Sequence, residues 1–385
     1  MLRRRAPRQR RHNMKSSLMK SSRGLLTAAA LLLPPTGLAA ADLAANGPLA
    51  VDELAFPDLV DESRGVPADA PGARPDVPTM AGQRRVPVKV HLPRADGPGP
   101  MVVVSHGAGG DWDTHHAQAR HLATHGYAVL CIEHVGSNRE RMTRGFRFRE
   151  NLQAMIHDSR EVLARPADVS FVITRAEEWN RTHEHLRGRL DLQRVGVLGH
   201  SFGGFTTMVV CGMRPAVDWL TPRVPPGGGL GPDLRDPRVT CGVALSPQGV
   251  GEPFFSAESF ASLRAPLLGI SGTQDRLQSG LPAEGRRDAF ALWPDGPHAF
   301  VWLANARHLD FTDSTGSGRR MLPSPSRADV QPVVRAATLL FFNVHLGTRL
   351  ETPLDTDADA AQRPSADLLR PYLRGAVDDL EVLTK

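Results

Sequence analysis

The chain has 385 residues, with 41% hydrophobic and 23% charged side chains and abundant glycine and proline. This composition is typical of a soluble α/β protein and argues against a fibrous, disordered or membrane-spanning chain. The net charge of +5 is concentrated at the start, because residues 1–41 carry nine Lys or Arg and no acidic residue, which leaves the remainder at −4. A mildly acidic body argues against a nucleic-acid-binding groove.

The basic start is followed by an apolar run over residues 24–33 and by small residues that end in Ala39-Ala40-Ala41. This order predicts a secretory signal peptide over residues 1–41 and therefore an exported protein, periplasmic or extracellular. The run is too short to cross a bilayer, which needs about 20 apolar residues, so no stable membrane span is expected after processing. An uncleaved anchor and a disordered basic tail are the alternatives.

Residues 42–84 are rich in turn-forming residues and predict an N-terminal leader with one short strand at about 51–56. From residue 85, apolar strands alternate with helical segments up to residue 348, and residues 349–385 form a C-terminal extension. The predicted strands lie at 86–92, 101–104, 127–132, 195–198, 239–245 and 267–271, and the predicted helices at about 115–125, 165–179, 203–213, 258–263 and 328–346. Such alternation predicts a single α/β domain with a mostly parallel central sheet and helices on both faces.

Two stretches interrupt the alternation, at residues 138–149 and 221–237. The first is rich in arginine and the second in proline and glycine, and both predict loop insertions near the ligand site. The three cysteines, Cys131, Cys211 and Cys241, sit in apolar segments and are predicted to be buried. A bridge between Cys211 and Cys241 is the open alternative, and no C-x-x-C motif indicates a metal or redox role.

The most informative motif is Gly199-His200-Ser201-Phe202-Gly203-Gly204, which follows an apolar strand and precedes a helical segment. A serine on such a tight strand-to-helix turn is crowded, and glycines two positions to either side relieve the crowding while the hydroxyl is held out. The motif predicts a nucleophile elbow with Ser201 as the nucleophile. An ordinary glycine-rich turn whose serine caps the helix is the alternative.

A serine hydroxyl needs a general base, and the base needs an orienting acid. The chain order serine, acid, histidine is expected after such an elbow. Asp275 follows the predicted strand at 267–271 and so lies at the sheet edge that also carries the elbow. Asp275 is therefore the predicted acid, with Asp218 or Glu252 as substitutes.

His308 is the predicted base, because it lies in a loop just beyond the apolar segment 299–303. His298 precedes that segment and would lie at the opposite edge of the sheet if the segment is a strand. The other histidines, His115, His116 and His121 among them, fall on a predicted polar helix face and are expected to be solvated, so no metal site is predicted.

The oxyanion of the reaction needs preorganised backbone N–H donors. One is predicted to come from Phe202, the residue after the nucleophile. The other is predicted to come from Ala108 in the glycine-rich loop after the strand at 101–104. A flexible strand-to-helix turn is the plainer interpretation of that loop.

With these residues in place, the chain resembles the α/β-hydrolases grouped with the platelet-activating-factor acetylhydrolases and with bacterial dienelactone-hydrolase-like or polyester-hydrolase-like esterases. The resemblance covers roughly residues 85–346 and implies the α/β-hydrolase fold and a cofactor-independent serine esterase with Ser201 as nucleophile and His308 as base. It rests on four segments: Ser105-His106-Gly107-x-Gly109-Gly110, His125-Gly126-Tyr127-x-Val129 leading to His134-x-Gly136-Ser137, the elbow motif, and His308-x-Asp310-Phe311.

Two departures limit what the resemblance implies. In the acetylhydrolases the acid follows the strand after the elbow helix, whereas here that strand runs into residues 244–248 without a carboxylate. The acid therefore moves to Asp275, as in the bacterial esterases, and a phospholipid substrate is less favoured. The nucleophile of true dienelactone hydrolases is a cysteine, which Ser201 replaces, so that substrate is not implied either.

These features together predict an exported serine hydrolase that cleaves a carboxylic ester, small or lipid-like, through an acyl-enzyme on Ser201. No cofactor, metal or nucleic-acid partner is expected. A thioesterase or serine peptidase on the same fold, or a non-catalytic binding protein with this fold, are the alternatives.

Overall fold

A mostly parallel sheet forms the centre of the structure. The structure is a computed structural model, and it describes residues 43–64, 84–276, 282–312, 329–347 and 380–385. The predicted signal peptide and nearly all of the predicted C-terminal extension lie outside these residues. The strands are β1 (Val51–Phe56), β2 (Val60–Asp61), β3 (Arg84–Arg85), β4 (Val88–Pro93), β5 (Gly99–Ser105), β6 (Ala128–Ile132), β7 (Leu190–His200), β8 (Val239–Leu245), β9 (Leu267–Gln274), β10 (Ala299–Arg307) and β11 (Leu380–Thr384).

Within the described residues, nine of these strands form one sheet in the order β1-β4-β6-β5-β7-β8-β9-β10-β11. The six strands from β6 to β10 in that order run parallel, whereas β4, β1 and β11 are antiparallel to their neighbours at the two edges. The predicted α/β-hydrolase fold is confirmed by this mostly parallel sheet and the helices around it. Strands β2 and β3 form a separate two-stranded ribbon.

Helices connect the parallel strands, as a crossover between parallel neighbours requires. They are α1 (His116–Thr124), α2 (Arg139–Thr143), α3 (Phe148–His157), α4 (Ser159–Thr182), α5 (Phe202–Val210), α6 (Ala257–Ala261), α7 (Glu284–Asp288) and α8 (Val330–Leu346). No helix of the described residues is long and apolar enough to span a bilayer.

The sheet is buried on both faces, and β5 illustrates why its sequence is a continuous apolar run. Met101 and Val103 pack into a core shared with α4 and α5, whereas Val102 and Val104 pack into a second core shared with α1 and α8. Successive side chains of a strand point to opposite faces, so the middle of a strand covered on both sides carries apolar side chains throughout. The two cores hold the parallel strands so that their C-terminal ends meet at one edge.

Some local predictions were wrong in ways that tertiary contacts explain. The arginine-rich stretch 138–149, predicted as a loop, contains α2 and the start of α3, and the Asn138 side chain caps α2 by accepting the N–H of Arg141 at 3.3 Å. Helix α4 begins at Ser159, well before the predicted start at residue 165. The Asp158 side chain caps it by accepting the N–H of Arg160 at 3.0 Å. The edge strand β11 has no clear sequence signal and forms by pairing with β10.

Two of the histidines predicted to be solvated are buried instead. His115 and His121 are 2% and 0% exposed. The segment before β1 covers His121, whose Nε2 atom lies 2.9 Å from the carbonyl oxygen of Leu43, whereas His115 packs against the ring of His200. All three cysteines are buried, and Cys211 and Cys241 are not bridged to each other. Burial raises the pKa of the Cys211 thiol to about 12.

Candidate active site

The turn between β7 and α5 holds Ser201 in a strained conformation. Its backbone φ of 56° lies in the left-handed region that side chains rarely adopt, and such strain persists only where the surrounding structure enforces it. A Cβ at position 199 would collide with the carbonyl of Gly203, and one at position 203 would collide with the carbonyl of Ser105. The two glycines therefore allow β7, α5 and the end of β5 to meet tightly around the serine.

The structure brings Ser201, His308 and Asp275 together from three separate segments. The Nε2 atom of His308 lies 2.9 Å from Oγ of Ser201, and Nδ1 of the same ring lies 2.7 Å from Oδ1 of Asp275. Asp275 follows β9 and His308 follows β10, so both reach the same sheet edge as Ser201. Ser201 is partly exposed, and the His308 side chain is 33% exposed. A molecule in solvent can therefore reach the hydroxyl.

The Asp275 carboxylate is held in its charged form within the protein interior. Burial by itself would raise its pKa, but the positive charge of Arg286 and the contact with His308 outweigh burial and hold the pKa well below its usual range. Oδ1 lies 3.5 Å from Nε of Arg286, and Oδ2 accepts a hydrogen bond from the Ser271 hydroxyl at 2.7 Å. The carboxylate is therefore fixed in position and remains ionised beside the imidazole.

The competing residues of the sequence analysis lie elsewhere or have other partners. His298 lies at the start of β10, where its Nδ1 accepts the N–H of Leu267 at 3.2 Å. Asp218 is exposed and accepts the N–H of Gly229 at 3.0 Å. Glu252 is buried and lies 3.3 Å from Nη1 of Arg286. Neither carboxylate is hydrogen-bonded to His308.

The loop after β5 passes directly beside the serine. A Cβ at Gly107 would lie 3.5 Å from Cβ of Ser201, so the backbone of this loop is in close contact with the Ser201 side chain. Ala108 follows in the same loop, and Phe202 is the first residue of α5. The first N–H groups of a helix have no partner within the helix, so the Phe202 amide is available to a ligand beside Ser201.

A second hydrogen-bonded chain of the same three residue types lies beneath this site. Oγ of Ser105 is 2.9 Å from Nε2 of His134, and Nδ1 of His134 is 2.8 Å from Oδ2 of Asp168. All three residues are completely buried. Burial lowers the pKa of His134 to about 3, with Arg165 adding to the effect, so the ring is neutral. No substrate can reach Ser105, so of the two hydrogen-bonded sets of serine, histidine and aspartate only the one at Ser201 is exposed to solvent.

Three supporting residues were not predicted from the sequence. Arg165 is completely buried, contacts the carbonyl of His106 and donates to the hydroxyls of Ser137 and Thr206. Arg286 pairs with Asp275, as described above. The Nε2 atom of His200 lies 2.9 Å from the carbonyl oxygen of His308. Of the three, only His200 had a sequence signal, since it stands within the elbow motif. The two arginines had none, because the sequence does not distinguish a buried arginine on a helix from one at the surface.

Comparison with known proteins agrees with this architecture. Residues 100–217, which include β5 to α5, match the family model described as alpha/beta hydrolase fold. The chain is 23% identical over 312 residues to the platelet-activating factor acetylhydrolase of Cavia porcellus. That alignment covers 70% of this chain and 62% of the relative, so the chain spans less than two thirds of the relative's length. With the sheet order and its helices, these similarities show the α/β-hydrolase fold and support the assignment of the chain to the α/β-hydrolase superfamily.

Proposed function

We propose that this protein is an exported serine hydrolase that cleaves carboxylic esters through an acyl-enzyme on Ser201. The observation that carries the proposal is the hydrogen-bonded sequence from Ser201 Oγ to His308 to Asp275, with distances of 2.9 and 2.7 Å. In a relay of this kind the histidine accepts the serine proton while the carboxylate fixes the ring tautomer and stabilises the imidazolium.

In the first half-reaction, Oγ of Ser201 attacks the ester carbonyl carbon and its proton passes to Nε2 of His308. The oxyanion that forms accepts hydrogen bonds from the amides of Ala108 and Phe202, which act as the oxyanion hole. When the tetrahedral intermediate collapses, the bond to the alkoxy group breaks and His308 gives the proton to the departing alcohol. The acyl group remains bound to Ser201.

In the second half-reaction, water gives a proton to His308 and its oxygen attacks the acyl carbonyl. Collapse of this intermediate breaks the bond to Ser201, which regains the proton from His308, and the carboxylic acid leaves. The balance is one ester and one water for one acid and one alcohol, without a cofactor. Asp275 stays ionised throughout, in agreement with its lowered pKa.

An ester is favoured over a thioester or a peptide because the similar protein from Cavia porcellus is named an acetylhydrolase. Profiling p-nitrophenyl esters from acetyl to palmitoyl, with thioester and peptide substrates alongside, tests this choice. We expect the highest kcat/KM on an oxygen ester. A higher kcat/KM on the thioester or peptide would assign the protein to that class instead.

A fluorophosphonate probe tests the nucleophile. We expect the folded wild-type protein to form one adduct, on Ser201, and Ser201→Ala to lose both the adduct and about 10⁶-fold in kcat. Ser105→Ala is the matched comparison, since Ser105 belongs to the buried chain of the same residue types; it should still be labelled at Ser201. Absence of any adduct on folded wild-type protein would favour a non-catalytic binding protein.

Export is proposed from the basic, apolar and small-residue order of residues 1–41. N-terminal sequencing of the protein recovered from the periplasm or medium of a bacterial host should begin at Asp42. Full-length protein retained in the cytoplasm would contradict export and would leave the proposed chemistry unaffected.

A further inference from the structure

A second group of functional side chains lies on the antiparallel edge of the sheet, where β1 pairs with β4. Glu53 of β1 and His91 of β4 are direct cross-strand partners. His116, the first residue of α1, packs against them, and the two imidazole rings are 5.2 Å apart in an edge-to-face arrangement. None of the three residues takes part in the proposed chemistry of Ser201.

The three side chains converge on one point. Oε1 of Glu53 lies 3.5 Å from Nδ1 of His91 and 3.9 Å from Nε2 of His116. One nitrogen from each ring and one carboxylate oxygen all lie within 4.8 Å of one another. Ligand bonds to Zn²⁺ are about 2.0–2.2 Å long, so small side-chain rotations bring all three atoms into one coordination sphere.

The buried imidazole of His91 makes no hydrogen bond to any of the described residues. The residue is 0% exposed, yet neither ring nitrogen makes a hydrogen bond. A buried polar group without a hydrogen bond destabilises the folded state, so a fully buried histidine of this kind calls for an explanation. A cation bound between this ring, the Glu53 carboxylate and the His116 imidazole would give one of its nitrogens a partner.

A carboxylate lies near the second ring nitrogen of His116. Its Nδ1 lies 3.9 Å from Oδ1 of Asp113, which is beyond hydrogen-bonding distance but within reach of a small side-chain rotation. A histidine that binds a metal through one nitrogen commonly directs the other to a carboxylate, which orients the ring. Lys89 lies in the same region, but its ammonium group is paired with Asp113 at 2.5 Å.

We propose that Glu53, His91 and His116 form a binding site for a divalent transition metal, with Zn²⁺ as the favoured ion. Two imidazoles and one carboxylate match the preference of Zn²⁺ for nitrogen and oxygen ligands, and water completes the tetrahedron. The Glu53 side chain is 39% exposed and that of His116 is 23% exposed, so solvent reaches the open position. The metal would join β1 and β4 to the start of α1 and so stabilise this edge of the sheet.

Zn²⁺ titration of the chelator-stripped, full-length protein tests the site. We expect the wild-type protein to bind one equivalent of Zn²⁺. The affinity of Glu53→Gln and of His116→Ala for Zn²⁺ should be at least about 100-fold lower. Both positions are partly exposed, so these variants should fold. Glu184→Gln and His185→Ala, at exposed positions far along the chain, are the matched controls and should bind as wild type does.

Two further readouts separate a metal site from a cluster that merely packs together. Co²⁺ bound to the wild type should show the visible bands of tetrahedral coordination, and Zn²⁺ should raise the Tm of the wild type and of Ser201→Ala but not of His116→Ala. Equal Zn²⁺ affinity in wild type, Glu53→Gln and His116→Ala would overturn the proposal, as would an unchanged wild-type Tm. Because Ser201→Ala keeps the site, the result is independent of esterase activity.

Discussion

At the scale of single residues, the candidate site depends on charges and hydrogen bonds that hold each group in one role. Asp275 is kept ionised in the interior by Arg286 and His308 despite complete burial. Its hydrogen bond to Nδ1 leaves Nε2 of His308 facing Ser201. In the proposed mechanism, Asp275 therefore decides which ring nitrogen accepts the serine proton.

Asp275→Asn should lower kcat by about 10⁴-fold, because the amide favours the wrong tautomer of His308 while it preserves the shape of the site. Steady-state kinetics on a short p-nitrophenyl ester measures the change. Asp218→Asn, a substitution of the exposed alternative carboxylate, should leave kcat within about twofold, as expected for a surface change. Retention of more than a tenth of the activity in Asp275→Asn, or a large loss in Asp218→Asn, would move the acid elsewhere.

At the scale of elements, one buried arginine joins α4 to the segments that surround Ser201. Arg165 donates to Thr206 in α5 at 3.0 Å and to Ser137 at 2.8 Å, and it also contacts the carbonyl of His106 at the end of β5. Its guanidinium carbon lies 4.4 Å from the centre of the Phe202 ring. The loop that carries Ala108 therefore has its position set partly by a helix distant in sequence.

Arg165→Met should lower the free energy of unfolding by about 2–4 kcal/mol, because several buried acceptors lose their donor at once. It should also lower kcat, since the loop beside Ser201 loses its anchor. Denaturant unfolding and ester kinetics measure the two effects. Arg181→Met, an exposed position at the end of the same helix, is the control, and a stability equal to wild type in Arg165→Met would contradict this role.

At the scale of the whole molecule, burial keeps several histidines neutral. Burial lowers the pKa of His115 and His298 to about 4 and that of His121 and His134 to about 3. An unfolded histidine titrates near pH 6.5, so below that pH the unfolded chain binds protons that the folded protein excludes. These groups stabilise the fold fully above about pH 6.5 and progressively less as the pH falls.

The free energy of unfolding should therefore decrease steadily from pH 6.5 to pH 5, with each such histidine adding up to about 1.4 kcal/mol per pH unit. Urea unfolding at a series of pH values measures this slope. His121→Gln should reduce the slope by the contribution of one titrating histidine, up to about 1.4 kcal/mol per pH unit. His185→Gln, at an exposed position, should not change the slope. Equal stability at pH 5 and pH 7 would contradict this account of the buried histidines.

Local patterns in the sequence determined the fold class, most of the parallel strands and the elbow around Ser201, because strand burial, helix periodicity and glycine crowding act over a few residues. They also indicated Asp275 and His308, since the end of a parallel strand predicts the edge at which a side chain lies. Sequence patterns could not identify Arg165, Arg286, the edge strand β11, the burial of His115 and His121 or the Glu53–His91–His116 cluster. Those depend on which segments cover one another, and that is decided only when distant parts of the chain pack together.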